Sequence, residues 1–121
     1  MYTSSFFMTL GLAPIIVQAQ YQLVDDYSSV NFFEKMDFFT GRDPTNGYVN
    51  YVDQATAQRE GLINVNPFDG HVYMGVDYQN VASGRGRNSV RVSSTKSYTH
   101  MLVVADMGHM PGGVCGVWPA L

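Results

Sequence analysis

His71 to Ser94 reads HVYMGVDYQNVASGRGRNSVRVSS. His71–Asp77 is a run of β-branched and aromatic residues, ending at a carboxylate that favours a turn. Ala82–Arg87 (ASGRGR) carries two glycines and reads as a loop. Ser89–Ser93 (SVRVS) then alternates strictly, so Val90 and Val92 point to one face and Ser89, Arg91 and Ser93 to the other. The period is two, not 3.6, which predicts strand, loop, strand.

Working outward, the same punctuation recurs. Tyr21–Asp26 (YQLVDD) is expected to be an edge strand. Asn31–Thr40 (NFFEKMDFFT) mixes the two periods, and its aromatic weight favours an extended segment with a bend. Gly41–Gly47 (GRDPTNG) is a turn cluster, and Tyr48–Val52 (YVNYV) alternates as a strand. Gln54–Gly61 (QATAQREG) predicts a short helix or turn closed by glycine. Leu62–Val65 is a short apolar run ended by Asn66-Pro67. Tyr98–Met107 (YTHMLVVADM), apolar on both faces over Leu102–Ala105, is expected to be a central strand. Several short strands with Gly, Pro, Asn and Asp between them predict an all-β, antiparallel sandwich or barrel.

Composition narrows the function. The 121 residues allow one domain at most. Seven Lys+Arg against ten Asp+Glu leave a net charge of −3. That sparse, acidic balance argues against nucleic-acid and anionic-membrane partners, which require clustered positive charge. His71, His100 and His109 show no metal-ligand spacing, so no metal or other cofactor is expected. The GRGR piece lacks the Lys-Ser/Thr of a phosphate-binding loop.

No charged side chain occurs from Met1 to Gln20, and Phe6–Val17 forms an apolar core closed by Val17-Gln18-Ala19. Residues 1–19 are read as a secretory signal cut before Gln20, leaving a mature domain over residues 20–121 destined for secretion. The core is too short for a membrane anchor, which needs roughly 20 residues. A single Cys in an oxidising compartment flags an absent partner, an intermolecular bond or a buried thiol, and Cys115 is the only one here.

Three runs are specific enough to carry a resemblance: GYVNYVDQATAQREGLI, VYMGVDYQNVASGRGRNSVRVSS and HMPGGVCGVWPA. Together they resemble the N-terminal half of fungal glycoside hydrolase family 16, of the endo-1,3(4)-β-glucanase or laminarinase type. The resemblance implies a β-jelly-roll sandwich of the concanavalin-like kind, of which this chain would be about half. It implies a β-glucan partner and a retaining mechanism. It further implies an E-x-D-x-x-E or E-x-D-x-E strand soon after W-P-A-F-W, whose outer glutamates serve as nucleophile and acid/base. Retention needs two carboxyl groups about 5–5.5 Å apart, and alternate positions of a strand supply that spacing.

Only Glu34 and Glu60 occur in this chain, neither with an acidic residue two positions away, and the last segment reads W-P-A-L. No catalytic residue is therefore assigned. The expectation is a truncated chain, inactive alone, with Cys115 separated from its disulfide partner. The alternatives are a non-catalytic glucan-binding remnant and a non-functional fragment. Candidate binding residues are Trp118, which either stacks on a glucose ring or packs in the core, and Arg87, Asn88 and Asn50, which either bond sugar hydroxyls or serve the loop and strands. Arg91, between two valines, is read as solvated or strand-pairing.

Overall fold

The computed structural model describes residues 21–28 and 30–121; the expected signal segment lies outside the described residues. A 3-10 turn, Phe32–Lys35, runs directly into β1 (Met36–Phe38). There follow β2 (Val49–Tyr51), α1 (Gln54–Arg59), β3 (Ile63–Val65), β4 (Val72–Met74), β5 (Arg87–Ser89) and β6 (Val92–Ser94). The ambiguous spacing of Asn31–Thr40 thus resolves as both periods in succession. Phe33 is buried by the turn, and Phe32 and Phe38 pack partly buried on the same cluster.

The strands form three pairs. β1 and β6 are antiparallel with Phe38 opposite Val92, and β3 and β4 are antiparallel with Asn64 opposite Tyr73. β2 and β5 run parallel, placing Asn50 opposite Asn88. This pair departs from the all-antiparallel expectation. Alternation along a strand specifies which face is buried but not the direction of a partner 38 residues away. Ser89 also bridges antiparallel to Val76, so β5 lies between β2 and the residues following β4.

α1 carries its start and stop signals in the sequence. Asp53 is the N-cap, accepting from the Thr56 N–H at 2.7 Å. At the other end Gly61 takes φ +68°, a left-handed turn that glycine adopts without side-chain strain. Its N–H donates to Gln58 O at 3.2 Å, and the Leu62 N–H donates to Ala57 O at 2.8 Å. This pair of bonds is the Schellman cap, which also drives Leu62 back onto Ala57. These two residues are the most deeply buried of the core, which is completed by Phe33, Val52 and Ile63.

Two expected strands do not form. Tyr21–Asp26 has no strand structure. Its two aspartates turn their carboxylates to other work: Asp26 accepts from the Ser28 N–H, and Asp25 accepts from Lys96 Nζ and Tyr98 Oη, each of the latter at 2.6 Å. Tyr98 in turn shares a 2.6 Å bond with Tyr27, so side chains fasten this segment beside the exit of β6. Lys96 and Tyr98 hold the Asp25 carboxyl below its ordinary range, and the bonds to Asp25 and Tyr27 raise the Tyr98 phenol.

Tyr98–Met107 is irregular as well, with Leu102, Val103 and Val104 exposed and His100 at φ +57°. A strand apolar on both faces needs neighbours to cover both, and no strand among the described residues pairs with it. The alternating SVRVS run divides between β5 and β6, with Val90 and Arg91 as the crossing from one pair to the next.

Candidate functional site

The parallel register of β2 and β5 sets two amide side chains facing each other. Asn50 Nδ2 donates to Asn88 Oδ1 at 2.7 Å, and Asn88 Nδ2 donates to Glu60 Oε2, just past α1, at 2.9 Å. Asn50 and Asn88 line a groove of about 210 Å³, together with Asp77, Asn80, Ser83 and Gly86.

The far wall of the groove is a side-chain turn. Asp77 Oδ1 accepts from the N–H groups of Gln79 and Asn80 at 2.9 and 3.2 Å. Asn80 Nδ2 donates to both carboxylate oxygens. Arg87 Nη1 donates to the carbonyls of Asp77 and Asn80, locking the turn to β5. The Gln79 N–H, then Asn80, then the Arg87 charge hold the Asp77 carboxyl below its ordinary value of 3.8. The sign follows: a group depressed in the fold stabilises it above pH 3.8 and loses that contribution as pH falls through its lowered value. Acid unfolding followed by circular dichroism is therefore expected to set in below about pH 4. Asp77→Asn is expected to flatten the acid limb, because Asn does not titrate, while lowering stability at neutral pH.

Of the four candidates, Asn50 and Asn88 meet directly and Arg87 braces the groove from behind. Trp118 lies outside it, 73% exposed, and lines neither this groove nor the second one below. Asp77, Asn80 and Glu60 are site residues that the sequence reading does not single out. For the first two, the D-x-x-N spacing of a carboxylate followed by backbone donors two and three residues on is the available sign. Glu60 has none, because its bond to Asn88 spans 28 residues.

A second groove of about 270 Å³ lies between the 3-10 turn, α1 and β3, with Glu34, Gln54, Gln58 and Asn64 at its edge. Among the described residues, Glu34 is its one carboxylate and Asp77 the one carboxylate lining the amide groove. Arg91 is neither free nor a groove residue. Its guanidinium stands 4.9 Å from the Phe39 ring centre and 5.7 Å from that of Tyr51, and 3.8 Å from Asp43. Its carbonyl accepts from the Phe39 N–H at 2.9 Å, so of the two expected roles, solvated or strand-pairing, its main chain takes the second. His71 pairs with Asp69 at 3.1 Å on the open surface. Cys115 is an exposed free thiol.

The family model described as the XgeA-like, catalytic GH16 domain matches residues 36–121. The chain belongs to glycoside hydrolase family 16. An endo-1,3(4)-beta-glucanase of Arthroderma benhamiae is 50% identical over 113 residues, covering 93% of this chain and 24% of the relative. The endo-1,3(4)-beta-glucanase xgeA of Emericella nidulans is 42% identical, covering 84% of this chain and 16% of the relative. The chain thus spans a quarter or less of the length of these curated relatives.

Among solved structures, an elongating family 16 beta-1,3-glucosyltransferase superposes with a TM-score of 0.68 at 48% identity, over 73% of this chain and 30% of that one. The laminarinase 16A of Phanerochaete chrysosporium superposes at 0.53 and 37% identity, over 59% of this chain and 24% of that one; it was solved with 6-O-glucosyl-laminaritriose in donor and acceptor sites. The jelly-roll expectation holds, and this chain covers part of that domain.

Proposed function

We propose that this chain supplies the part of a secreted family 16 β-glucanase that grips a β-1,3(4)-glucan, and that it binds laminarin-like chains without cleaving them. The observation that carries this reading is the amide groove. Asn50 and Asn80 line it, and their Oδ1 atoms accept no hydrogen bond among the described residues, while Arg87 is committed to carbonyls. Such a surface suits a ligand that brings its own donors. A glucan carries hydroxyl donors in quantity and no charge, whereas an anion would meet the Asp77 carboxylate without a free cation lining the groove.

The whole protein works by retention, with its carboxylate pair borne on a strand outside these residues. Neither groove here offers the two carboxyl groups that a double displacement requires. Trp118, exposed beside the last turn, is available to stack on a sugar ring once a ligand or further chain approaches it. A second chemistry, transfer of the glucosyl unit to another glucan in place of water, is favoured by the 48% identity to the elongating transferase.

Secretion and recovery in one experiment test these points. Protein collected from the medium is expected to begin at Gln20, to be retained on insoluble β-1,3-glucan, and to release no reducing ends from laminarin. Reducing ends above those of a Trp118→Ala control, or failure of retention, would overturn the reading.

A further inference from the structure

We propose that Glu60 is a positioning residue for this groove: it fixes which atom of Asn88, and through Asn88 which atom of Asn50, is offered to the ligand. An asparagine side chain has a donating and an accepting end that are interchangeable in shape. Two asparagines facing each other across β2 and β5 have two equally good arrangements, each with one amide donating to the other's oxygen. A carboxylate removes the ambiguity, because it accepts and never donates. With Glu60 Oε2 taking the Asn88 Nδ2 proton at 2.9 Å, the Asn88 oxygen must turn to β2, where Asn50 Nδ2 meets it at 2.7 Å. The accepting end of Asn50 is then the one left over. On the reading that this groove takes a glucan, that leftover oxygen receives a sugar hydroxyl.

Glu60 reaches the relay from outside the groove. It is the residue that ends α1, at φ −89° and ψ 0°, with its N–H donating back into the helix. The Gly61 turn that follows holds the helix end in place while the exposed side chain crosses to β5. Nothing in the groove lining replaces it, since Asp77 spends its oxygens on Gln79 and Asn80.

The polarity of the relay can be reversed by one substitution. In Glu60→Lys the new side chain only donates, so Asn88 must present its oxygen to it and its NH2 to Asn50, and Asn50 must invert in turn. A cation at a helix C-terminus is favourable, so this variant is expected to fold. Glu60→Gln can donate or accept and Glu60→Ala can do neither, so both remove the anchor without reversing it.

Side-chain amide resonances of 15N-labelled full chain, with laminarin titrated into each protein, read the relay and the binding separately. Glu60→Lys is expected to move the NH2 signals of both Asn88 and Asn50 and to weaken laminarin binding by about tenfold, the effect of one mispaired hydrogen bond. Glu60→Gln and Glu60→Ala are each expected to broaden the two NH2 pairs, since neither fixes one polarity. Unmoved Asn50 signals in both Glu60→Lys and Glu60→Ala overturn the proposal. So does unchanged laminarin affinity in Glu60→Lys when wild type binds. Moved signals with no laminarin binding by wild type uphold the relay and overturn only the glucan reading.

Discussion

Gly86→Ala is expected to part β5 from β2 and to abolish retention on β-glucan. Gly86 leads into β5 at φ +127°, a region that only glycine occupies without strain. A Cβ there would fall inside the van der Waals radii of Tyr48 C, Tyr48 O and Val49 N. These are main-chain atoms of the facing segment, so no side-chain rotation relieves the overlap. Backbone strain alone costs about 1–3 kcal/mol, and moving one strand off the other adds to it.

The displaced bonds are those that set the site. The Arg87 N–H donates to Tyr48 O at 3.3 Å, and the Val52 N–H donates to Ser89 O at 3.1 Å. Between them lies the Asn50–Asn88 contact. Two other glycines separate the contributions. Gly84, at φ +59° with nothing within 4 Å of an added methyl group, isolates backbone strain without the overlap. Gly108 has open space and no left-handed backbone, so Gly108→Ala is expected to be neutral. Thermal melts and glucan retention of the three alanine variants should rank Gly86 far below Gly84, with Gly108 at wild type. Equal melting of Gly86→Ala and Gly108→Ala would refute the close approach.

What can be read from sequence divides along the range of the interactions. The helix over Gln54–Gly61 is legible because its determinants are local: Asp53 caps one end, and Gly61 turns the other. The short runs around Val49–Tyr51, Ile63–Val65 and Val72–Met74 are legible for the same reason. The parallel partnership of β2 with β5 is not, because it depends on a register between residues 38 apart. Tyr98–Met107 has every local mark of a buried strand and remains irregular. Its composition states what it would bury, but a strand exists only with a partner to accept its bonds.

The site shows the same division. Asn50 and Asn88 stand out through the family likeness, and the structure joins them. Glu60 has no acidic neighbour in sequence and so offers no catalytic pair. Its part as an acceptor for Asn88 emerges only when the helix end and β5 are brought together. Arg87 is bound to backbone carbonyls, so it shapes the wall of the groove.

Leu62→Ala is expected to cause the largest loss of stability of any single apolar truncation in the described residues. Leu62 is 2% exposed and is larger than Ala57, the other most deeply buried side chain. Its main chain is bonded at both ends. The N–H closes the α1 cap on Ala57 O, and the carbonyl accepts from the Gly75 N–H at 2.8 Å, tying the helix to the end of β4. Those bonds survive the substitution; only the side chain that fills the space among Phe33, Val52, Ala57 and Ile63 is lost. Truncating a buried leucine to alanine costs about 2–5 kcal/mol, depending on how far the cavity collapses.

That loss falls on a small core. Among the described residues, five buried apolar side chains form it, whereas Leu23, Val81, Val104 and Leu121 lie 83–99% exposed and add almost nothing to it. With so little apolar surface to share the loss, the melting temperature is expected to drop by on the order of 10–20 °C, or the cooperative transition to vanish. Leu121→Ala, at a side chain 99% exposed, is expected to leave the melt unchanged. If the two leucine variants melted alike, the packing of α1 on β3 would not be what holds this chain together, and the groove steered from that helix's end would lose its foundation.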